Sequence, residues 1–92
     1  MTCYIERATE YGIDQYNFDS SALISHQYEP DSYVRILVFD SKLIKPKKYG
    51  FRQGDNVLVH YEKEKNSFDL KGRIDDINAT FMTVMVKPDD WI

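Results

Sequence analysis

The chain has 92 residues, of which 12 are Lys or Arg and 15 are Asp or Glu, giving a net charge of −3 at pH 7. A chain of this length predicts one domain with one small hydrophobic core. No apolar stretch approaches the roughly 18 residues of a membrane-spanning helix, and no basic-then-apolar leader is recognisable. The lone cysteine, Cys3, has no disulfide partner within the chain, so we expect a cytoplasmic protein.

The first 32 residues give weak structural signals. Residues 1–11 are compatible with either a strand or a helical turn, and Gly12 interrupts them. Residues 18–24 favour a short helix, for which Asp19 or Ser20 would supply the N-cap. We therefore predict an irregular or short-helical N-terminal segment, residues 1–32, packed on the outside of a β-barrel core formed by residues 33–92.

The rest of the chain alternates apolar runs with polar turns, which predicts strands at 33–39, 56–61, 68–77 and 81–86. Gly72 inside the third strand indicates a bend or a close backbone approach. Ile77 breaks the alternation of that strand, which predicts a bulge near Asp75 and Asp76. The sequence thus predicts a mainly-β fold, a small five-stranded antiparallel barrel. Its predicted core is apolar: Val34, Ile36, Val38, Val57, Val59, Phe68, Leu70, Ile74, Ile77, Val84 and Val86.

Three of these segments, 54–61, 68–78 and 81–86, resemble the core of Sm-like and Src-homology-type small barrels. They are also similar to the C-terminal half of the YolD-like family of small Gram-positive proteins, which shows a V-x-V-x-Y … G-x-I-x-x-I pattern. The resemblance covers residues 54–86 and implies a small barrel fold. The second family implies an accessory role to error-prone DNA polymerases, and no site residue carries over to this chain.

Charge is distributed unevenly along the chain. Residues 1–34 hold six acids and one base, residues 35–52 hold six bases and one acid, and residues 53–92 hold five bases and eight acids. Either these segments neutralise one another across the fold, or the basic centre binds nucleic acid. In the second case cations would contact phosphates and aromatic rings would stack on bases. The candidate nucleic-acid-binding residues are Lys45, Lys47, Lys48, Tyr49, Phe51 and Arg52. Otherwise, the aromatic residues of this segment close one end of the barrel.

The C-terminal residues combine acidic and apolar side chains. Pro88 is expected to end the last strand, because proline has no N–H for the ladder. The candidate protein-binding residues follow it: Asp89, Asp90, Trp91 and Ile92. They resemble in pattern the acidic-then-hydrophobic tails by which single-stranded-DNA-binding proteins recruit partners. The alternative is that Trp91 folds back over the barrel mouth.

Catalysis and metal binding find little support in the sequence. The two histidines, His26 and His60, are 34 residues apart and form no metal-ligand motif. We predict no catalytic residue, no metal site, no cofactor and no membrane contact. The leading hypothesis is a non-enzymatic protein-interaction module, such as a regulatory or inhibitory protein of a phage or mobile element. A nucleic-acid-binding barrel using residues 45–52 and a structural or assembly subunit that forms homo-oligomers are the alternatives.

Overall fold

The structure is a computed structural model that describes residues 2–29, 34–63 and 65–86. These residues form seven strands and three short helical turns, in chain order β1 (Thr2–Thr9), β2 (Gly12–Phe18), a 3₁₀ turn (Ser20–Ala22), β3 (Leu23–Glu29), β4 (Val34–Asp40), α1 (Ser41–Ile44), α2 (Pro46–Tyr49), β5 (Asn56–Lys63), β6 (Asn66–Ile77) and β7 (Phe81–Val86). The strands form one antiparallel sheet in the order β2-β1-β5-β6-β7-β4-β3. Neither helix of this described part is long and apolar enough to cross a membrane.

The N-terminal region differs from the sequence prediction. Residues 2–29 supply three strands of the sheet instead of an irregular segment on its outside. The β1–β2 hairpin extends the sheet beyond β5, and β3 extends it beyond β4. The short helix predicted within residues 18–24 is present as the 3₁₀ turn. Asp19 is its N-cap and accepts a hydrogen bond from the Ser21 N–H at 2.9 Å.

The predicted closed five-stranded barrel is wrong, because the described sheet has seven strands and two free edges, β2 and β3. The long strand β6 divides this sheet into two halves. Its residues 66–73 pair with β5, its residues 73–77 pair with β7, and only Arg73 belongs to both ladders. The chain crosses from the edge strand β2 to the edge strand β3 in four residues, so the sheet must coil for the two strands to be joined.

Gly72 lies beside the junction of the two halves. A Cβ atom at this position would be 2.8 Å from the Met85 carbonyl oxygen and 2.8 Å from a methyl group of Val84. Real Cβ atoms do not approach backbone so closely, so the predicted close approach at this glycine is confirmed. The predicted bulge is also present: Ile74 pairs with Val84 but Asp76 pairs with Thr83, which leaves Asp75 as the extra residue.

One hydrophobic core fills the space inside the coiled sheet. Its buried residues are Cys3, Ile5, Ala22, Leu37, Phe39, Ile44, Phe51, Val57, Val59, Leu70, Ile74, Met82, Val84 and Val86. The predicted core is confirmed in β5, β6 and β7, where Phe68 and Ile77 are half-buried against it. It is wrong in β4: Ile36 and Val38 are half-buried on the outer face, and their neighbours Leu37 and Phe39 occupy the core. Val34 is buried as predicted.

A short helical segment, residues 41–55, connects β4 to β5 and covers one end of the core; we call it the cap. Asp40 begins it by accepting a hydrogen bond from the Lys42 N–H at 2.9 Å. Lys45 ends α1 in the left-handed conformation, with φ of 54°, and Pro46 opens α2. Gly50 ends α2 with φ of 71°, a conformation that favours glycine.

Candidate functional site

The aromatic residues of the cap face the core. Phe51 is only 5% exposed, and its ring centroid is 5.0 Å from that of Tyr16 on β2. Tyr49 is half-buried, with Tyr16 at 4.8 Å and the Lys48 ammonium at 5.5 Å from its ring. Of the two alternatives for these aromatic residues, base stacking lacks an exposed ring at Phe51, and the ring of Tyr49 already has two neighbours. The two side chains close this end of the core.

Arg7 of β1 holds the cap from the inside. One guanidinium nitrogen donates to the Gly50 carbonyl at 2.6 Å, and the other donates to the Tyr49 carbonyl at 2.8 Å. The second nitrogen also donates to the Tyr16 hydroxyl at 3.0 Å. The planar guanidinium thereby links β1 and β2 to the last turn of α2, with bonds of the charge-assisted kind that are stronger than neutral ones.

A carboxylate and an aromatic ring complete the surroundings of Arg7. The carboxylate of Asp55 lies 3.5 Å from the guanidinium and also accepts a hydrogen bond from the Arg52 N–H at 2.9 Å. The Phe51 ring centroid is 5.1 Å from the guanidinium carbon, within cation–π range. Sequence analysis missed this role; the one available signal was that Arg7 is the single base among six acids in residues 1–34.

The cations of the cap face outward. The exposed set is Lys42, Lys45, Lys47, Lys48 and Arg52. Within residues 2–29, 34–63 and 65–86, none of these side chains forms an ion pair. The two nearest acids in sequence, Asp40 and Asp55, accept hydrogen bonds from backbone N–H groups of the cap instead. The structure thus places the sequence-predicted Lys45, Lys47 and Lys48 around one groove and does not place Arg52 there, and none of these cations has an ion-pair partner among the described residues.

A groove of about 470 Å³ separates the cap from the β6–β7 turn. Lys45, Lys47 and Lys48 line one wall, and residues 77–79 line the other. Ser41 joins the two walls, because its hydroxyl donates to the Asn78 carbonyl at 2.8 Å.

Apolar side chains border this basic end of the molecule. Leu43 of α1 is 47% exposed, and Phe81, the first residue after the β6–β7 turn, is 42% exposed. The Ser41 N–H donates to the Thr80 carbonyl at 3.0 Å, which keeps α1 beside the start of β7. The end of the molecule that carries the lysines therefore also offers apolar contact area.

The remaining residues singled out in the sequence are the C-terminal candidates and His60. Asp89, Asp90, Trp91 and Ile92, proposed for protein binding, lie outside the described residues, as does Pro88. His60 lies on the outer face of the sheet, 2.6 Å from the Asp69 carboxylate opposite it on β6. Tyr4 stacks on the His60 ring at 4.5 Å. These are ordinary cross-strand contacts, and no group of three or more metal-ligating side chains occurs in the described part of the chain.

Cys3 is a core residue. Its side chain is fully buried, and burial raises the pKa of the thiol to about 11. The group is therefore protonated at neutral pH and unsuited to nucleophilic attack, which requires the thiolate.

Comparison of the chain with known protein families, with characterised proteins and with solved structures found no match. The resemblance to Sm-like, Src-homology-type and YolD-like proteins gains no support from these comparisons.

Proposed function

We propose that this protein is a non-enzymatic interaction module that binds an acidic, partly apolar segment of a partner protein in the groove beside the cap. The observation that carries the proposal is the row of three exposed lysines, Lys45, Lys47 and Lys48, whose charge is unpaired among the described residues. We also propose a cytoplasmic location, which suits a lone thiol.

The groove suits a peptide segment for two physical reasons. Its volume, about 470 Å³, lies within the range of pockets that hold a few side chains. Exposed Leu43, two residues before Lys45 in the cap, and exposed Phe81, at the start of β7, offer apolar area outside the groove itself, and apolar contact supplies binding energy that exposed charges alone do not. Charge complementarity would then select acidic partners and accelerate the encounter.

Nucleic-acid binding is the second candidate, favoured by the same unpaired cations together with Lys42 and Arg52. Because the rings of Tyr49 and Phe51 are covered, such binding would use phosphate contacts without base stacking. It would then be independent of sequence and strongly weakened by salt.

The test measures fluorescence anisotropy with two probes: a labelled peptide of alternating Glu and Leu, and a labelled single strand of about 20 nucleotides. The cap variant carries Lys45→Ala, Lys47→Ala and Lys48→Ala. A matched control carries Lys63→Ala, Lys65→Ala and Lys71→Ala, which removes the same charge from exposed positions outside the cap. At about 0.5 kcal/mol per lost contact, the cap variant should bind the peptide roughly tenfold more weakly. The control should keep most of its affinity.

The variant Leu43→Ser separates the two candidates. It should weaken binding of the peptide and leave binding of the oligonucleotide unchanged, because phosphates gain nothing from an apolar side chain. Preferential oligonucleotide binding, with a log–log salt slope that falls by about 0.7 for each lysine removed, would replace the peptide proposal by the nucleic-acid one. Binding of neither probe at about 50 mM salt would overturn both.

A further inference from the structure

The two free edges of the described sheet differ in regularity. β3 pairs with β4 through a register shift between Leu23 and Ser25. β2 pairs with β1 residue by residue, from Gly12 to Phe18, without any shift. No described strand pairs with the other side of β2. A regular free edge presents unpaired N–H and C=O groups, which another strand can use.

β2 also lacks most of the side chains that commonly protect an edge. Residues 12–18 contain no Lys, Arg or Pro. Their one charge is Asp14, whose carboxylate accepts a hydrogen bond from the Tyr16 hydroxyl at 3.2 Å. Apolar surface lies at the start of the strand, where Ile13 is 71% exposed and Tyr11, in the preceding turn, is 97% exposed.

We propose that β2 pairs antiparallel with β2 of a second copy of this chain, around a two-fold axis at Gln15, so that the two sheets become continuous. Gln15 is the middle residue of the seven-residue strand, so this register uses the whole edge. It is an isologous contact, in which each residue meets the partner position related by the axis. The inference does not depend on the proposed function of the cap.

The side chains of β2 are self-complementary in this register. Gln15 faces the partner's Gln15. Its amide nitrogen already donates to the Asn17 side-chain oxygen at 3.1 Å, and its second N–H and its carbonyl oxygen can exchange hydrogen bonds with the partner's amide. Asp14 is opposite the partner's Tyr16, so the two copies of the one charge in the strand are not directly opposed. The absence of opposed like charges favours a second copy as the occupant, because like charges directly opposite each other destabilise a strand pair.

Cysteine cross-linking tests the register. Residues directly opposite in an antiparallel pair have Cα atoms about 4.5–5.5 Å apart, within the range that a disulfide spans. Under mild oxidation Gln15→Cys should therefore give a covalent dimer on a non-reducing gel. Asn17→Cys is the matched control: Asn17 is also exposed on the same strand but would face the partner's Ile13. Cys3 is fully buried and does not compete.

Sedimentation equilibrium with charge variants tests the association itself. Gln15→Lys should weaken the dimer by about fivefold, because two lysines would meet at the axis. Mixing Gln15→Lys with Gln15→Glu should restore association as a heterodimer. Thermal unfolding of each variant checks that the exposed substitution leaves the monomer folded. The proposal is overturned if the wild type sediments as a monomer at about 100 μM. It is also overturned if Asn17→Cys cross-links as readily as Gln15→Cys, or if the charge variants leave the dimer unchanged.

Discussion

Replacing Arg7 by methionine should remove about 3 kcal/mol from the free energy of unfolding. The guanidinium donates to the carbonyls of Tyr49 and Gly50 at 2.8 and 2.6 Å, and its side chain is only 16% exposed. Hydrogen bonds from a charged donor contribute about 1.5–3 kcal/mol each. Water can replace part of the bond to the exposed Gly50 carbonyl, which reduces the total. For a domain of this size, the loss corresponds to roughly 12–24 °C in melting temperature.

Urea unfolding followed by circular dichroism measures this effect, and a second arginine provides the control. Arg73 is exposed on the outer face, where its Nε donates only one long hydrogen bond, 3.5 Å, to Asn56. Arg73→Met should therefore cost no more than about 0.5 kcal/mol. Arg7→Lys keeps the charge but loses the planar fork, so its stability should fall between wild type and Arg7→Met. The reasoning is refuted if Arg7→Met and Arg73→Met differ by less than about 1 kcal/mol.

Three further predictions concern single positions. Gly72→Ala should destabilise by about 2–3 kcal/mol in urea unfolding, because its Cβ would overlap the Met85 carbonyl oxygen, which cannot move aside. Asn78→Ala should cost about 1 kcal/mol, because the Asn78 side-chain oxygen accepts hydrogen bonds from two backbone N–H groups of the β6–β7 turn; Asn78→Asp keeps that acceptor and should cost less. Burial raises the pKa of Cys3 from 9.0 to about 11, so the thiol ionises first in the unfolded chain. The free energy of unfolding should therefore fall as the pH rises between these values. Cys3→Ala should lack that component, and native Cys3 should react with a thiol reagent only as fast as the protein opens.

The C-terminal half of the fold was largely predictable from sequence, because its strands have one buried and one solvated face. Alternation therefore identifies both the strand and the side that is buried, as in β5 and β6. Gly72 and the bulge at Asp75 were predictable for the same reason, since each interrupts a regular alternation. Both features depend on residue types within one strand, and these can be read from a single sequence.

The N-terminal strands and the buried face of β4 were not predictable in the same way. β2 is an edge strand with five of its seven residues exposed; Tyr16 and Phe18 on its inner face are only half-buried, which leaves little contrast between its faces. In β4, apolar residues occupy both faces, so Ile36 and Leu37 are equally good core candidates from sequence alone. The prediction of a closed five-stranded barrel was wrong because β1 adds to the sheet by pairing with β5, at least 50 residues away in sequence. Pairing between such distant segments leaves no local signal in the sequence.

At the candidate site, the exposed lysines were predictable from sequence, but the contacts that hold the cap in place were not. The lysines at 45, 47 and 48 are exposed, as expected of strongly hydrated ammonium groups. Phe51 was a candidate both for base stacking and for closing one end of the barrel, because its neighbours in sequence do not reveal that β1 and β2 pack against it. Arg7 was counted only as a charge, since its partners Tyr49 and Gly50 are more than 40 residues away.

The inner side of the cap therefore stabilises the fold, and its outer side carries exposed charge. Arg7, Tyr49 and Phe51 hold the segment in place through buried or half-buried contacts. The lysines at 45, 47 and 48 contribute little to stability, because they are exposed and without ion pairs among the described residues. A segment fixed from inside can hold several like charges close together without relying on a ligand to order it. For the proposed partner segment, this preorganisation would lower the entropic cost of binding. It also accounts for a basic groove in a chain with a net charge of −3.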